Sequence, residues 1–330
     1  MTFHSDQAPA AQGTLLPFGR YRFSFRLDQD ARFPAETGSM FRGAFGTAFK
    51  QAVCITGMRF CDGCDYQGSC AYFRVFETEI SDPGSLWFLR GIKKAPHPYL
   101  FSVHHITCTE FRRGEELEVY ISLFGAQQIL INAFVLAFLM MGKNGLGVNR
   151  VPFTLTKVES VTGTDLVPIY QQGGVRDGII LPVSTLSVTG TSGDFPPVVG
   201  ILLKSQLTLQ DSGRVISWPE KLTASHVYRS LARRFFSLAH SFGTEDTTVY
   251  LNPVPDGEPI PVLSGAKLSY DEFNRLSNRQ EKKLKLGGFR GSFLISVHNA
   301  LQWQLLNAGM VTAVGKNTVF GSGQYTLFTV

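Results

Sequence analysis

A chain of 330 residues with 44% hydrophobic side chains is long enough for two domains with real cores. Its net charge of +5 is spread over the whole length, so it permits an acidic partner without demanding one. Residues 1–13 carry no basic-then-apolar leader, which argues against secretion and against reading the five cysteines as a disulfide framework; a cytoplasmic location is expected.

Taken in order, residues 18–27 alternate aromatic with polar or basic side chains and predict a half-buried strand. Thr37, Gly38 and Ser39 offer an N-cap. Met40, Phe41, Ala44, Phe45, Ala48, Phe49 and Ala52 then recur at helical spacing, predicting a helix to about residue 53. Residues 54–76 read as a cysteine-bearing insertion. Two strands, 99–108 and 117–124, flank the polar turn Arg112-Arg113-Gly114-Glu115. Residues 126–141 predict a second helix. It is shorter than the ~18 apolar residues a membrane span needs and holds Gln127, Gln128 and Asn132, so it is expected inside the protein rather than in a membrane. A strand over 151–158 closes the unit, and the order strand, helix, strand, strand, helix, strand is the ferredoxin-like arrangement.

Residues 160–200 shift toward Gly, Thr, Ser and Pro and predict a connection, with a short strand at 178–183. The order then repeats: a strand over 201–209, a helix within 219–242, strands around a basic stretch within 267–296, a helix over 298–308, then a glycine-rich loop and a last strand. A Pro-rich loop spans 243–265. The predicted class is α+β, with two tandem ferredoxin-like (βαββαβ) domains over 14–160 and 200–330 joined by 161–199.

The glycine-rich loop Gly315-Lys316-Asn317-Thr318-Val319-Phe320-Gly321-Ser322-Gly323 is echoed by Gly142-Lys143-Asn144-Gly145-Leu146-Gly147; each follows an apolar helix and leads into a strand. Glycine amides with a lysine suit phosphate oxygens, and a plain helix-to-strand turn is the competing reading. Gly309 and Gly315 are too far apart for a nucleotide-hydrolase P-loop, and Asn317 stands where that loop needs Ser or Thr. No G-x-G-x-x-G follows the first strand, and G-x-S-x-G is absent.

Cys54, Cys61, Cys64 and Cys70 are spaced C-x6-C-x2-C-x5-C. The pair Cys61 and Cys64 has knuckle spacing, and the segment reads as structural zinc, with an iron–sulfur cluster or unliganded thiols as alternatives. Cys108 reads as a small core residue of its strand. Arg275, Arg279, Lys282, Lys283, Lys285 and Arg290 face one acid, Glu281, beside a Gly-Gly-Phe-Arg-Gly run, a plausible footprint for nucleic acid or else a solvated charged loop. On the long second-half helix, Val227, Leu231, Phe235, Leu238 and Phe242 form an apolar stripe; Arg229 and Arg233, with His226 and His240, fall on a neighbouring face that phosphates could use. His97, held extended between Pro96 and Pro98 and close to Lys93, Lys94 and Tyr99, is a candidate for proton transfer, with a satisfied loop histidine as the stronger competing reading.

The form G-K-x-T-x-F-G-x-G at Gly315–Gly323 resembles the RAMP superfamily of CRISPR-associated proteins. So do the duplicated ferredoxin-like order and the basic second half. More narrowly, three features resemble a branch of the Cas-six type endoribonucleases: Gly38-Ser39-Met40-Phe41-Arg42-Gly43-Ala44-Phe45-Gly46, the cysteine set, and Tyr72-Phe73-Arg74-Val75-Phe76-Glu77. Ser277-Asn278-Arg279-Gln280 and Leu286-Gly287-Gly288-Phe289-Arg290-Gly291 also resemble that branch, and the likeness runs from about residue 18 to 327. It implies metal-independent cleavage of precursor CRISPR RNA within its repeats by 2′-hydroxyl attack, with no catalytic cofactor. It also implies RNA held by Gly315, Lys316, Gly321, Gly323 and the basic residues, and association with other CRISPR effector subunits.

Members of this family commonly place a histidine at or after the first helix. No histidine occurs here from residue 37 to 96, and Thr47 stands at the expected position. Lys50, about one turn later, and His97 are therefore the expected catalytic residues. Two alternatives are a non-catalytic RAMP subunit that binds guide RNA, and a zinc-bearing scaffold with no RNA role.

Overall fold

The computed structural model describes residues 13–80, 84, 86–172, 174–175, 181–191, 193–243, 250–255, 259–277 and 282–330, with backbone alone for 273–277 and 282–286. The first unit contains β1 (Thr14–Leu27), α1 (Thr37–Val53), a short α2 (Ala71–Phe76), β2 (Tyr99–Ser102), β3 (Glu116–Phe124), α3 (Ile131–Asn144) and β4 (Phe153–Thr162). Its antiparallel sheet runs β2-β3-β1-β4, with Phe23 opposite both Val119 and Val158. That is the ferredoxin-like strand order predicted from sequence.

Alternation along β1 sends Tyr21, Phe23, Phe25 and Leu27 into the core and Arg20, Arg22 and Arg26 to the other face. The helices cover the apolar face with Phe41, Phe45 and Phe49 from α1 and Phe134, Phe138 and Met141 from α3. Phe45 sits at the centre, its ring 4.8 Å from Phe134, 5.3 Å from Phe101 and 5.4 Å from Phe49. The many phenylalanines are thus the packing units of this core. The stretch Gly125–Asn144 is long and apolar enough to cross a membrane, yet 56% of its apolar window is buried inside the fold, as its role as a core helix requires.

The second unit repeats the plan with β7 (Val198–Leu203), α4 (Ala224–Phe242), β8 (Leu263–Ser277), β9 (Lys282–Ser296), α5 (Ala300–Thr312) and β10 (Tyr325–Phe328). Its sheet runs β8-β9-β7-β10, the same order. The apolar stripe of α4 is buried as its spacing predicts. Thr223 begins that helix with a capping box to His226, and Asn299 caps α5 by accepting from Gln302 N–H.

Three expectations change. The stretch taken as a connection builds two longer strands and a two-residue one, Gly174–Val175, onto the first sheet. β5 (Asp165–Gln171) folds back on β4, and β6 (Ser184–Val188) pairs with the start of β1. The strand placed at 178–183 falls partly outside the described residues, and 181–183 is not strand. Cys108 is exposed and lies beyond β2, which ends at Ser102, so it is not a core residue. The two units also share a hydrophobic cluster: Leu16, Phe88, Leu100 and Phe124 of the first pack in one core with Leu231, Phe235, Phe236 and Ile295 of the second.

Candidate active site and RNA interface

The first turn of α1 rests on the glycine-rich loop. A side chain at Gly38 would put its Cβ 1.7 Å from the Phe320 carbonyl oxygen, so only glycine allows this approach. One helical turn on, Arg42 Nη2 lies 3.3 Å from His97 Nε2. Arginine has only donors, so Nε2 is the acceptor in this contact. The ring of His97 meets the edge of Phe76 at 5.5 Å and stacks on Tyr99 at 5.7 Å. Arg42 also lies over the Phe76 ring, 5.4 Å from its centroid. Burial pushes the Tyr99 phenol up to about 12, against the pull of Arg42. Lys94 pairs with the buried Glu77 and ties the His97 segment to the end of α2.

The cation beside His97 is therefore Arg42, which the sequence reading quoted only as part of a helix-start motif. Lys50 is turned elsewhere: Nζ donates to the Arg59 carbonyl at 2.9 Å and lies 5.2 Å over the Tyr72 ring. Tyr72 stacks on Phe76 at 4.7 Å, so these two rings link the contacts of Lys50 to those of His97. Thr47 is exposed and bonds back to the Gly43 carbonyl.

In the glycine-rich loop, Gly315, Gly321 and Gly323 have φ of +87°, +84° and +76°. Added Cβ atoms there would strike the carbonyl oxygens of Thr208, Phe101 and Val314 at 2.3, 2.8 and 1.8 Å. Packing alone requires these glycines, whatever ligand the loop meets. Several loop amides are also engaged within the protein, Lys316 N–H with Thr208 and Gly323 N–H with Gln206. The Lys316 side chain is exposed. Gln324 anchors the loop to the first unit by donating to the carbonyls of Phe101 and Gly321 at 3.0 and 2.8 Å. Arg234, buried on α4, donates to the Thr312 carbonyl just before the loop, and burial pulls its guanidinium down to about 10. The first-half echo is not a loop of the same kind, because Lys143 and Asn144 belong to α3 and Gly145 packs against the Arg150 carbonyl.

A histidine passed over in the sequence, His104, follows β2 beside Gln324. Burial and the neighbouring His105 pull its imidazole down, and a hydrogen bond donated to the Gln324 side chain opposes them. The adjacent His-His pair was the one signal available in the sequence.

Among the expected RNA-binding residues, Arg275, Lys282, Lys283 and Lys285 lie near the tip of the β8–β9 hairpin, where Arg275 pairs with Leu284 and Ser277 with Lys282; their side chains, and Arg279 altogether, are outside the described residues. Arg290 is not a free cation. It pairs with Glu36, at the start of α1, and with Asp271 at 3.2 Å. Arg233 donates to the Arg90 carbonyl, His226 caps α4, and His240 meets the Tyr250 hydroxyl at 2.9 Å, so this face of α4 largely holds the protein together. Arg229 is exposed. Cys54, Cys61, Cys64 and Cys70 all line one cavity of about 230 Å³.

Two ferredoxin-like units thus share a core, with a glycine-rich loop locked at their junction. Residues 203–325 match the family model of the CRISPR-associated endoribonuclease Cas6, and residues 16–180 match a model described as an N-terminal domain. The second unit thus carries a domain of the Cas6 family of CRISPR-associated endoribonucleases, as the resemblance read from the motifs implied. Among solved structures, a Cas6 product complex from Thermus thermophilus aligns over 97% of this chain and 100% of its own, with a TM-score of 0.53 at 11% identity. Chains of a partial and a full Cas6-RT-Cas1–Cas2 complex also align over 97% of this chain, with TM-scores of 0.55 at 10% identity. The present chain spans 47% and 29% of those two longer chains. At such identities the likeness carries the fold. No relative matches among curated protein sequences.

Proposed function

We propose that this protein cuts precursor CRISPR RNA within its repeats, and that Arg42 and His97 form the reacting pair. The observation that carries this reading is their contact, one helical turn from the place where α1 rests on the glycine-rich loop. The neutral Nε2 of His97 takes the proton of a ribose 2′-hydroxyl as that oxygen bonds to the adjacent phosphorus. The bond from phosphorus to the 5′-oxygen breaks, and that oxygen leaves with a proton from water. The products are a 2′,3′-cyclic phosphate and a 5′-hydroxyl. Arg42, released from Nε2, turns to the charge gathering on the phosphoryl oxygens. Lys316, Arg229 and the basic hairpin hold the repeat by its phosphates, and shape with single-stranded flanks sets specificity. The RNA product then serves CRISPR effector subunits in the cytoplasm.

The test is incubation of purified protein with a labelled repeat RNA in EDTA, beside a substrate with a 2′-deoxy nucleotide at the cut. One discrete cut, abolished by the 2′-deoxy substitution and by His97→Ala, supports the reading. Tight binding without a cut assigns the chain instead to guide-binding subunits, and weak, salt-insensitive binding removes the RNA role.

A further inference from the structure

The insertion between α1 and α2 has little of its own to hold it. Among the described residues, 55–70 form neither helix nor strand. The apolar side chains of this segment point outward, with Ile55 76% and Phe60 58% exposed. Ordering such a segment costs conformational entropy, and without a core a cross-link must offset it. The cysteines occupy the four places where a cross-link would do so. Cys54 is the C-cap of α1 and Cys70 the N-cap of α2. Cys61 and Cys64 bracket a turn closed by Cys64 N–H donating to the Cys61 carbonyl at 3.1 Å, with Gly63 at φ +74° between them. The Thr56 hydroxyl lies 3.6 Å from Cys54 Sγ and 4.0 Å from Cys64 Sγ, so sulfurs from the start of the loop and from its knuckle approach one point. The four thiols share one cavity without being drawn into a closed shell: among the described residues, no three His, Cys, Asp or Glu side chains already stand as a ligand set.

We infer that Cys54, Cys61, Cys64 and Cys70 bind one zinc ion as thiolates, closing this cavity and clamping the end of α1 to the start of α2. Four sulfur donors, with a C-x2-C knuckle supplying two of them, suit a tetrahedral structural site with no open position. The clamp sets Tyr72, the second residue of α2, whose ring stacks on Phe76 and so reaches the base of His97. It also fixes the loop carbonyl that receives Lys50. The inference does not rest on RNA cleavage.

The test uses the full chain purified without chelators, with metal content read by mass spectrometry and thiols titrated on the native protein. One zinc per chain with all four insertion thiols protected is the expected result. Cobalt substitution should then give the charge-transfer and ligand-field bands of a tetrahedral thiolate site. Cys61→Ser/Cys64→Ser should lose the zinc, and Cys108→Ser should keep it. Should the double variant fail to fold, chelator treatment of the natural protein replaces it: zinc release must accompany new protease cuts confined to 55–70. Zinc-free protein with four reactive thiols would overturn the inference. So would iron with acid-labile sulfide, or a disulfide among the four.

Discussion

Gly38 is where α1 and the glycine-rich loop can be pushed apart without touching Arg42 or His97. An alanine methyl there would stand 1.7 Å from the Phe320 carbonyl oxygen and 2.7 Å from its carbon. Ordinary contact begins at about 3.4 Å, so the loop must retreat by about 1.7 Å. A helical Gly→Ala change ordinarily gains about 0.5–1 kcal/mol, whereas forced overpacking costs about 1–3, leaving a net loss of about 1–2 kcal/mol. The rate should suffer more than the stability, because a misplacement of about 1 Å at a reacting geometry can cost about a hundredfold. Gly43, on the same helix, supplies the control, since an added Cβ there meets nothing within 4 Å. Urea unfolding and single-turnover cleavage at saturating protein would be measured for Gly38→Ala and Gly43→Ala. Gly38→Ala should unfold slightly more easily and cut about a hundred times more slowly; Gly43→Ala should be as stable or more so and cut normally. Equal rates for the two variants would refute the argument that this contact registers the loop against the helix.

His97→Ala and Arg42→Ala should each slow cleavage by roughly a hundredfold or more while RNA affinity changes little, as gel-shift titrations beside single-turnover rates would show. Phe45→Ala should cost about 3–5 kcal/mol in urea unfolding, because its ring is the centre of the aromatic core. Alanine at Lys282 or Lys283 should reduce the slope of log affinity against log salt by about 0.7 per lost phosphate contact, whereas Arg290→Ala, already paired with Glu36 and Asp271, should leave the slope unchanged. Burial raises the Glu159 carboxyl, but hydrogen bonds from Arg22 and Lys157 outweigh it and hold the group below its ordinary value. Its contribution is therefore full above about pH 4.3 and is lost as pH falls through the lowered value. Unfolding midpoints taken from pH 6 to 3 should show that loss in the natural protein and a smaller one in Glu159→Gln.

The elements were legible because β1, α1, α3 and α4 each carry one clear period, and both units show the same order. The candidate site was legible only in part. His97 stood out through its two prolines and neighbouring lysines, a local signal. Arg42 did not, because a basic residue on a half-exposed helix face looks the same whether it meets water or an imidazole; its role appears only once α2 and the His97 segment pack beside it. Arg290 failed for a similar reason. Its partner Glu36 lies 254 residues away, and the charge run around Arg290 gave no sign that one member was neutralised. The loop glycines were noticed correctly as special, yet what they accommodate is the protein's own carbonyls.

The shared core has a bearing on how such a chain can change over time. Two ferredoxin-like halves suggest parts that could be exchanged between relatives at the boundary between them. With Leu16, Phe88, Leu100 and Phe124 packed among residues of the second half, that boundary runs through a close-packed interior. A half grafted from another member would arrive with its own knobs and hollows, and the recipient's would not match. The duplication that the strand order still records has become irreversible: each half now completes the other's interior, and the two must drift together.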